Sequence, residues 1–394
     1  MTNRYSYARR VQRMRGSAIR ELLKITERPE VISFAGGLPA PELFPAEDLK
    51  ALFAAELSEN GDSALQYSTT EGYLTLREQV CTIAAERGIP CTPDQVLITG
   101  GSQQALDLVG KIFIDAGAPV LVENPTYVGA LQAFENYEAQ FVPVPTDSDG
   151  ISLTALESVL AAVKPAFLYV TPTFKNPTGI TIPAEKRAAL AALLKKHQLI
   201  LVEDDPYSDI RFRGEPVPAV KHFDPSEQVI YLGSFSKSVA PGLRLGYAIA
   251  APEIIQKLVL AKQGTDLHTG TLVQRVLSRY LASGTAKPHV ETIREAYRER
   301  AAVMVDALRR HFPSEASWTD PEGGMFLWVT LPENVDTVEL LPKASALNVA
   351  YVPGVPFFAD GSGNNQMRLN FSNAAPEQIE TGMARLGKLV CSVM

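Results

Sequence analysis

Lys237 lies in the run SFSKSVAPGLRLG, from Ser234 to Gly246, between small hydroxyl residues and seven positions before Arg244. The Ser234 and Ser236 hydroxyls with the Arg244 guanidinium suit a dianionic phosphate, and the amine suits Schiff-base formation with a carbonyl. The apolar VIYL before the run reads as a buried strand, and Pro241 and Gly242 break the chain before a second apolar run, LRLGYAIA. Lys237 therefore leaves the end of a strand, where the sites of α/β proteins collect.

An aldehyde and a phosphate on one ligand describe pyridoxal 5'-phosphate. Its partners occur in order along the chain, each shortly after a β-like run. Gly100-Gly101-Ser102-Gln103 follows QVLITG and opens a helix whose unpaired amides and dipole favour an anion, which makes Gly101, Ser102 and Gln103 phosphate contacts. Tyr127 follows ENPT and offers an aromatic face to the cofactor ring. Asn176 stands in TFKNPTG, and Asp204 and Tyr207 stand in LILVEDDPY. A carboxylate at Asp204 facing the pyridine nitrogen keeps it protonated while negative charge develops on the substrate. Two unit charges ~4 Å apart attract by about 4 kcal/mol at an effective dielectric of 20, before desolvation, enough to move a proton equilibrium. Asn176 and Tyr207 supply donors to the ring's 3′ oxygen. Each residue alone has a plainer reading as turn, core or solvated surface; it is their order that points to one site.

These residues need a scaffold that gathers strand ends. Seven β-like runs start at Gln95, Pro119, Gln140, Ala166, Leu199, Val229 and Leu245. Helical patterns with apolar residues three and four apart separate most of them, as in QQALDLVGKIF from Gln103, VGALQAFENY from Val128 and EKRAALAALLKKH from Glu185. The alternation predicts an α/β fold with a mostly parallel seven-stranded sheet covered on both faces. After Pro288 a long amphipathic pattern leads to strand candidates GMFLWVTL and QMRLNFS, a smaller α+β domain. The expected division is 1–45 as an N-terminal arm and part of the small domain, 46–285 as the large cofactor-binding domain and 286–394 as the small C-terminal domain, with a ligand cleft between them.

Composition narrows the field of functions. With 394 residues, 46% of them hydrophobic, and a net charge of −7, the chain has the makings of a large soluble core and no electrostatic footprint for nucleic acid. The short basic stretch RRVQRMR near the N-terminus reads as a solvated face. Cys81, Cys91 and Cys391 lack metal-ligand spacing, and the five histidines form no ligand pair with them, so a reducing cytoplasm and no structural metal are expected. No apolar run reaches the roughly 20 residues of a bilayer span, and no signal sequence is evident.

In this constellation the chain resembles the class I aminotransferases, pyridoxal-phosphate enzymes of fold type I, along nearly its whole length. Lys237, Asp204, Asn176, Tyr207 and Arg244 fall on that family's cofactor positions. The segments IRELLK from Ile19, SFAGGLPAPELFP from Ser33, QYSTTEGY from Gln66 and KQGTDLHT from Lys262 resemble most the 2-aminoadipate and kynurenine aminotransferase group. The resemblance implies that Tyr67 reaches the phosphate of a neighbouring subunit's cofactor, so that a homodimer shares its sites. It also implies that Arg368 in QMRLNFS grips the substrate α-carboxylate, with Asn176 and the Gly36-Gly37 backbone nearby, and that Arg20 pairs with an acidic substrate side chain. One departure is Lys175 beside the asparagine, where close relatives often carry glutamine or another neutral residue; its charge either alters substrate preference or points to solvent.

The expected reaction is transamination between an L-amino acid and 2-oxoglutarate, in ping-pong order, with Lys237 moving the Cα proton. 2-Aminoadipate and glutamate are the first candidate donors, then leucine and aromatic amino acids. The same machinery would serve a lyase, decarboxylase or racemase. A regulator fused to a helix-turn-helix module has no room before the Ser33 motif, and a silent scaffold would not need an intact Lys237.

Overall fold

The strands form where apolar runs are short, rich in β-branched residues and bounded by Gly or Pro. In the computed structural model, which describes residues 5–12, 28 and 30–394, the large sheet contains β1 (Val96–Thr99), β2 (Pro119–Asn124), β3 (Gln140–Asp147), β4 (Gly150–Ile151), β5 (Phe167–Val170), β6 (Leu201–Asp205), β7 (Val229–Ser234) and β8 (Gly246–Ile249). All seven expected strands are present, and the two-residue β4 adds an eighth at one edge. Their order is β1-β8-β7-β6-β5-β2-β3-β4. From β7 through β6, β5 and β2 to β3 the pairing is parallel, whereas β8 runs antiparallel to both β1 and β7.

Every residue of β6 and β7 is buried, as expected of strands covered on both faces. Helices α1 (Ser102–Phe113), α2 (Val128–Glu135) and α3 (Ala184–His197) follow the predicted periodicity. On one face Leu106, Val109 and Phe134 pack with Val120, Phe167 and Ile230. On the other, Leu190 and Leu194 pack with Leu121, Leu168 and Leu201, while Val80 and Val276 join Ile98 and Tyr231. Burying each such side chain contributes roughly 1.5–3 kcal/mol against chain entropy.

A second core lies beyond the sheet's end. Strands β9 (Ser317–Trp318), β10 (Phe326–Thr330), β11 (Val352–Pro353) and β12 (Gln366–Asn370) form an antiparallel sheet in the order β9-β10-β12-β11. Helices α4 (Ala286–His311) and α5 (Pro376–Val393) pack against it through Tyr297, Met304 and Met383, with Leu327 and Leu369. The segment before residue 46 joins this core through Phe34 and Ala40, and Ile32–Ser33 pairs in parallel with Val349–Ala350. Phe174, Tyr207, Ile210 and Phe212 leave the large sheet's strand ends and pack into the same core. The two cores therefore meet at the ends of β5 and β6, where the chemistry-bearing residues were expected.

Arg9, read as part of a solvated stretch, is 76% exposed, and its guanidinium also pairs with the largely buried Glu138 at 2.5 Å. Cys81, Cys91 and Cys391 are unpaired thiols. Among the described residues no helix is long and apolar enough to cross a membrane, and no group of His, Cys, Asp and Glu is arranged to hold a metal ion.

Candidate active site

The loop 235–245 joins β7 to β8 and is pinned by Phe235 N donating to Leu245 O at 3.1 Å and Val239 N to Phe235 O at 3.0 Å. Phe235 and Val239 sink into the core beside Tyr247, which leaves the intervening Lys237 facing a cavity of about 450 Å³. Its ammonium donates to Gly37 O at 3.0 Å. Burial, aided by the positive charges of Arg244 and Arg368, brings the Lys237 pKa down to about 8.

Next to Lys237 lies the N-terminus of α1. Its first-turn amides have no acceptor within the helix. Arg244 (φ +51°) donates to Gly100 O at 3.3 Å, and Gly101 has φ +83°. A Cβ at position 101 would stand 2.6 Å from Arg244 Nη2, so a side chain there would push the guanidinium aside. Gln104 accepts from Gly100 N at 2.7 Å and from the buried Lys262 at 2.9 Å, which fixes the turn from behind. Ser102, Ser234, Ser236 and Arg244 all face the cavity at this end.

Asp204 is the fourth residue of β6, and the register that sets Tyr169 opposite Val202 puts Tyr169 and Asp204 on one face. The Tyr169 hydroxyl donates to Asp204 Oδ2 at 2.7 Å, while the buried Oδ1 has no hydrogen-bond partner. Burial raises the Asp204 pKa to about 7, against the lowering effect of the Tyr169 hydrogen bond. A buried carboxylate oxygen without a donor is costly, and it is answered by a ligand that brings an N–H.

Arg368 on β12 reaches the same cavity from the second core. Its Nη1 donates to Asn176 Oδ1 at 2.7 Å and its Nη2 to Ala35 O at 2.6 Å, while Nε is buried without a partner. The guanidinium lies 4.3 Å from the centroid of Phe326 and 5.0 Å from that of Phe357. Desolvation lowers its pKa to about 10, so it remains a cation at neutral pH. Burial pushes the Tyr127 and Tyr207 hydroxyls up, so both are neutral donors.

Twelve expected residues thus line one cavity: Gly37, Ser102, Gln103, Tyr127, Asn176, Asp204, Tyr207, Ser234, Ser236, Lys237, Arg244 and Arg368. Gln103 also ties α1 to α2 by donating to Gly129 O at 2.9 Å. Gly36 and Gly101 sit in the adjoining backbone rather than in the wall. Tyr67 does not enter: it is 79% exposed, with its ring edge-on to His268. Arg20 and the whole of the IRELLK motif lie outside the described residues. Lys175 points neither to solvent nor into the cavity; it is buried and paired with Glu123 at 3.1 Å.

Sequence reading missed Tyr169, Thr171, Gly129 and Gln132. A hydroxyl at alternate positions of AFLYVTP, on an otherwise apolar strand, was the available signal for the first two. Gly129 is required because a Cβ there would fall 2.5 Å from the Tyr127 ring.

The residues present fit pyridoxal phosphate. An amine held near neutrality, a helix end suited to an anion with three serines and an arginine, an aromatic wall and an unpartnered buried carboxylate oxygen match its aldehyde, phosphate, ring and pyridine nitrogen in turn. Comparison with known proteins agrees. The chain is 48% identical over 381 residues to 2-aminoadipate transaminase of Thermus thermophilus, covering 95% of this chain and 94% of that one. It is 45% identical to aromatic-amino-acid aminotransferase 1 of Thermococcus litoralis, over 96% of this chain and 92% of that one. The crystal structure of α-aminoadipate aminotransferase from Thermus thermophilus, complexed with N-(5'-phosphopyridoxyl)-L-leucine, superposes with a TM-score of 0.92 at 45% identity, covering 98% of this chain and 97% of that one. Residues 40–386 match the family "aminotransferase class I and II", and the chain therefore belongs to it, as a pyridoxal-phosphate-dependent aminotransferase.

Proposed function

We propose that the enzyme transfers the amino group of acidic L-amino acids, 2-aminoadipate and glutamate first, to 2-oxoglutarate, and accepts leucine and aromatic donors as well. The observation that carries this reading is the convergence of Lys237, Asp204 Oδ1 and Arg368 on one cavity. The breadth is supported by the acidic and aromatic substrates in the names of two similar enzymes and by the leucine adduct in the crystal structure of the Thermus thermophilus α-aminoadipate aminotransferase.

In this reading Ser102, Ser234, Ser236 and Arg244, with the first amides of α1, hold the phosphate; Tyr127 covers the ring; Asp204 faces its nitrogen; Asn176 and Tyr207 donate to its 3′ oxygen. Arg368 takes the substrate α-carboxylate, with Nε as an additional donor. The cofactor, when bound, supplies an electron sink for the charge left at the substrate α-carbon. Lys237 Nζ would take the proton from that carbon as a general base and deliver it as a general acid to the cofactor's C4′ carbon, a role suited to an amine with a pKa of about 8. Asp204, held by Tyr169, keeps a negative charge against the ring nitrogen.

The division into residues 1–45, 46–285 and 286–394 belongs to the same reading, with the cleft where the two cores meet. So do a cytoplasmic enzyme and a homodimer in which Tyr67, exposed in the single chain, completes the neighbour's phosphate site. Arg20 is assigned to the acidic side chain of the substrate. A panel of amino donors against 2-oxoglutarate tests the proposal: parallel double-reciprocal lines with 2-aminoadipate or glutamate as a leading donor are expected, and intersecting lines count against it.

A further inference from the structure

Lys175 and Glu123 form an ion pair whose side chains are 2% and 1% exposed. Glu123 lies near the end of β2, ahead of the segment that carries Tyr127. One of its oxygens, Oε2, accepts from Thr171 N at 3.0 Å, and the other, Oε1, accepts from Lys175 Nζ at 3.1 Å. One carboxylate thus holds both ends of the arc 171–175, which is closed behind by Gly179 N donating to Lys175 O at 2.6 Å and Lys175 N to Ile180 O at 2.9 Å. The next residue is Asn176, whose Oδ1 accepts from Arg368 Nη1 at 2.7 Å.

We infer that the Lys175–Glu123 contact is a positioning device: it fixes the arc so that Asn176 holds the Arg368 guanidinium in register for the substrate α-carboxylate. The inference rests on the assignment of Arg368 given above. The charge of Lys175 does not reach the cavity, because it is matched by Glu123. Buried charges that lose their partner are strongly penalised, so the arc shifts when either one is removed.

The test uses the cofactor-loaded enzyme in four forms: wild type, Lys175→Met, Glu123→Gln and the double variant. Glutarate, which has the carboxylates of the substrate but no amino or oxo group, is titrated calorimetrically, and KM and kcat are measured with L-glutamate. Each single variant is expected to weaken glutarate binding and raise KM about tenfold, with kcat within about threefold. The double variant is expected to be no worse than the weaker single, since both lose the same contact. Glutarate affinity and KM within twofold of wild type in Lys175→Met overturns the proposal, as do losses that multiply in the double variant. Should Lys175→Met not fold, unchanged glutarate affinity in Glu123→Gln overturns it alone. Absence of glutamate turnover in the wild type counts against the functional reading instead, and glutarate binding is still measured.

Discussion

The Tyr169 hydroxyl holds one oxygen of Asp204 at 2.7 Å and leaves the other bare in the wall of the cavity. That asymmetry aims the carboxylate. With Oδ2 occupied by a neutral donor, Oδ1 is the only oxygen left to meet a ligand N–H, and its direction is set by the β5–β6 register.

Tyr169→Phe removes that donor without changing the shape of the strand. Hydrogen bonds to charged groups contribute roughly 1.5–3 kcal/mol, so kcat/KM is expected to fall about ten- to a hundredfold. The carboxylate loses a stabilising partner, its pKa rises, and the acid limb of the kcat profile moves to higher pH. A profile superimposable on wild type would remove Tyr169 from the site.

Asp204→Asn separates stability from activity. In the cofactor-free protein burial raises the Asp204 pKa from 3.8 to about 7. Well below pH 3.8 the group is neutral both folded and unfolded, and costs nothing. As pH rises through 4 to 7 the unfolded chain loses its proton first, so the folded state loses stability, by at most ~4 kcal/mol above pH 7. The variant escapes this loss: its cofactor-free melting temperature should exceed wild type by several degrees at pH 8 and match it near pH 4, while turnover falls severely. Equal melting temperatures at pH 8 would show that Asp204 carries no such strain.

Lys237 should be reactive as a free amine near neutral pH. With a pKa of about 8, its labelling by an amine-acylating reagent in the cofactor-free protein rises nearly tenfold per pH unit below that value and levels off above it. Mass spectrometry of the Lys237 peptide reads this directly, with surface lysines, still rising beyond pH 9, as the internal contrast. Lys237→Ala should abolish turnover, and borohydride trapping should place the cofactor on this lysine in the wild type.

Arg368→Lys keeps the charge and loses the planar fork. A lysine gathers its three donors on one nitrogen and cannot reproduce the planar fork that reaches Asn176 and Ala35 from two nitrogens, nor stack on Phe326 in the same way. KM for every amino acid should rise about a hundredfold, independent of side-chain chemistry, because the α-carboxylate is common to all. A loss confined to acidic donors would instead place Arg368 at the side-chain end.

The strands and the cavity-facing residues were legible because they obey local rules. Buried runs such as VIYL and LILV announce strands, and Lys237, Asp204 and Asn176 sit just past or at their ends, where a parallel sheet exposes its sites. Tyr169 was not legible in the same way: it reads as one more aromatic on a buried strand until the pairing register sets it diagonally across from Asp204. Lys175 was visible as an odd charge, but its partner lies 52 residues away, on a strand while Lys175 is in a loop, a separation that no local pattern encodes. The reversal of β8 was equally hidden, since apolar periodicity carries no direction.

That reversal has a consequence for how the enzyme tolerates change. Because β8 turns back alongside β7, the amine of Lys237 and the guanidinium of Arg244 hang from a single hairpin-like connection instead of from opposite ends of a crossover helix. Their spacing is set by one short tether clamped by a continuous ladder, Gly233 against Tyr247 and Ser234 against Gly246. Added residues elsewhere on the rim can be absorbed as longer loops, but a single insertion between 235 and 245 would drive the two cationic groups apart and disable the pocket while the remainder of the chain still folds.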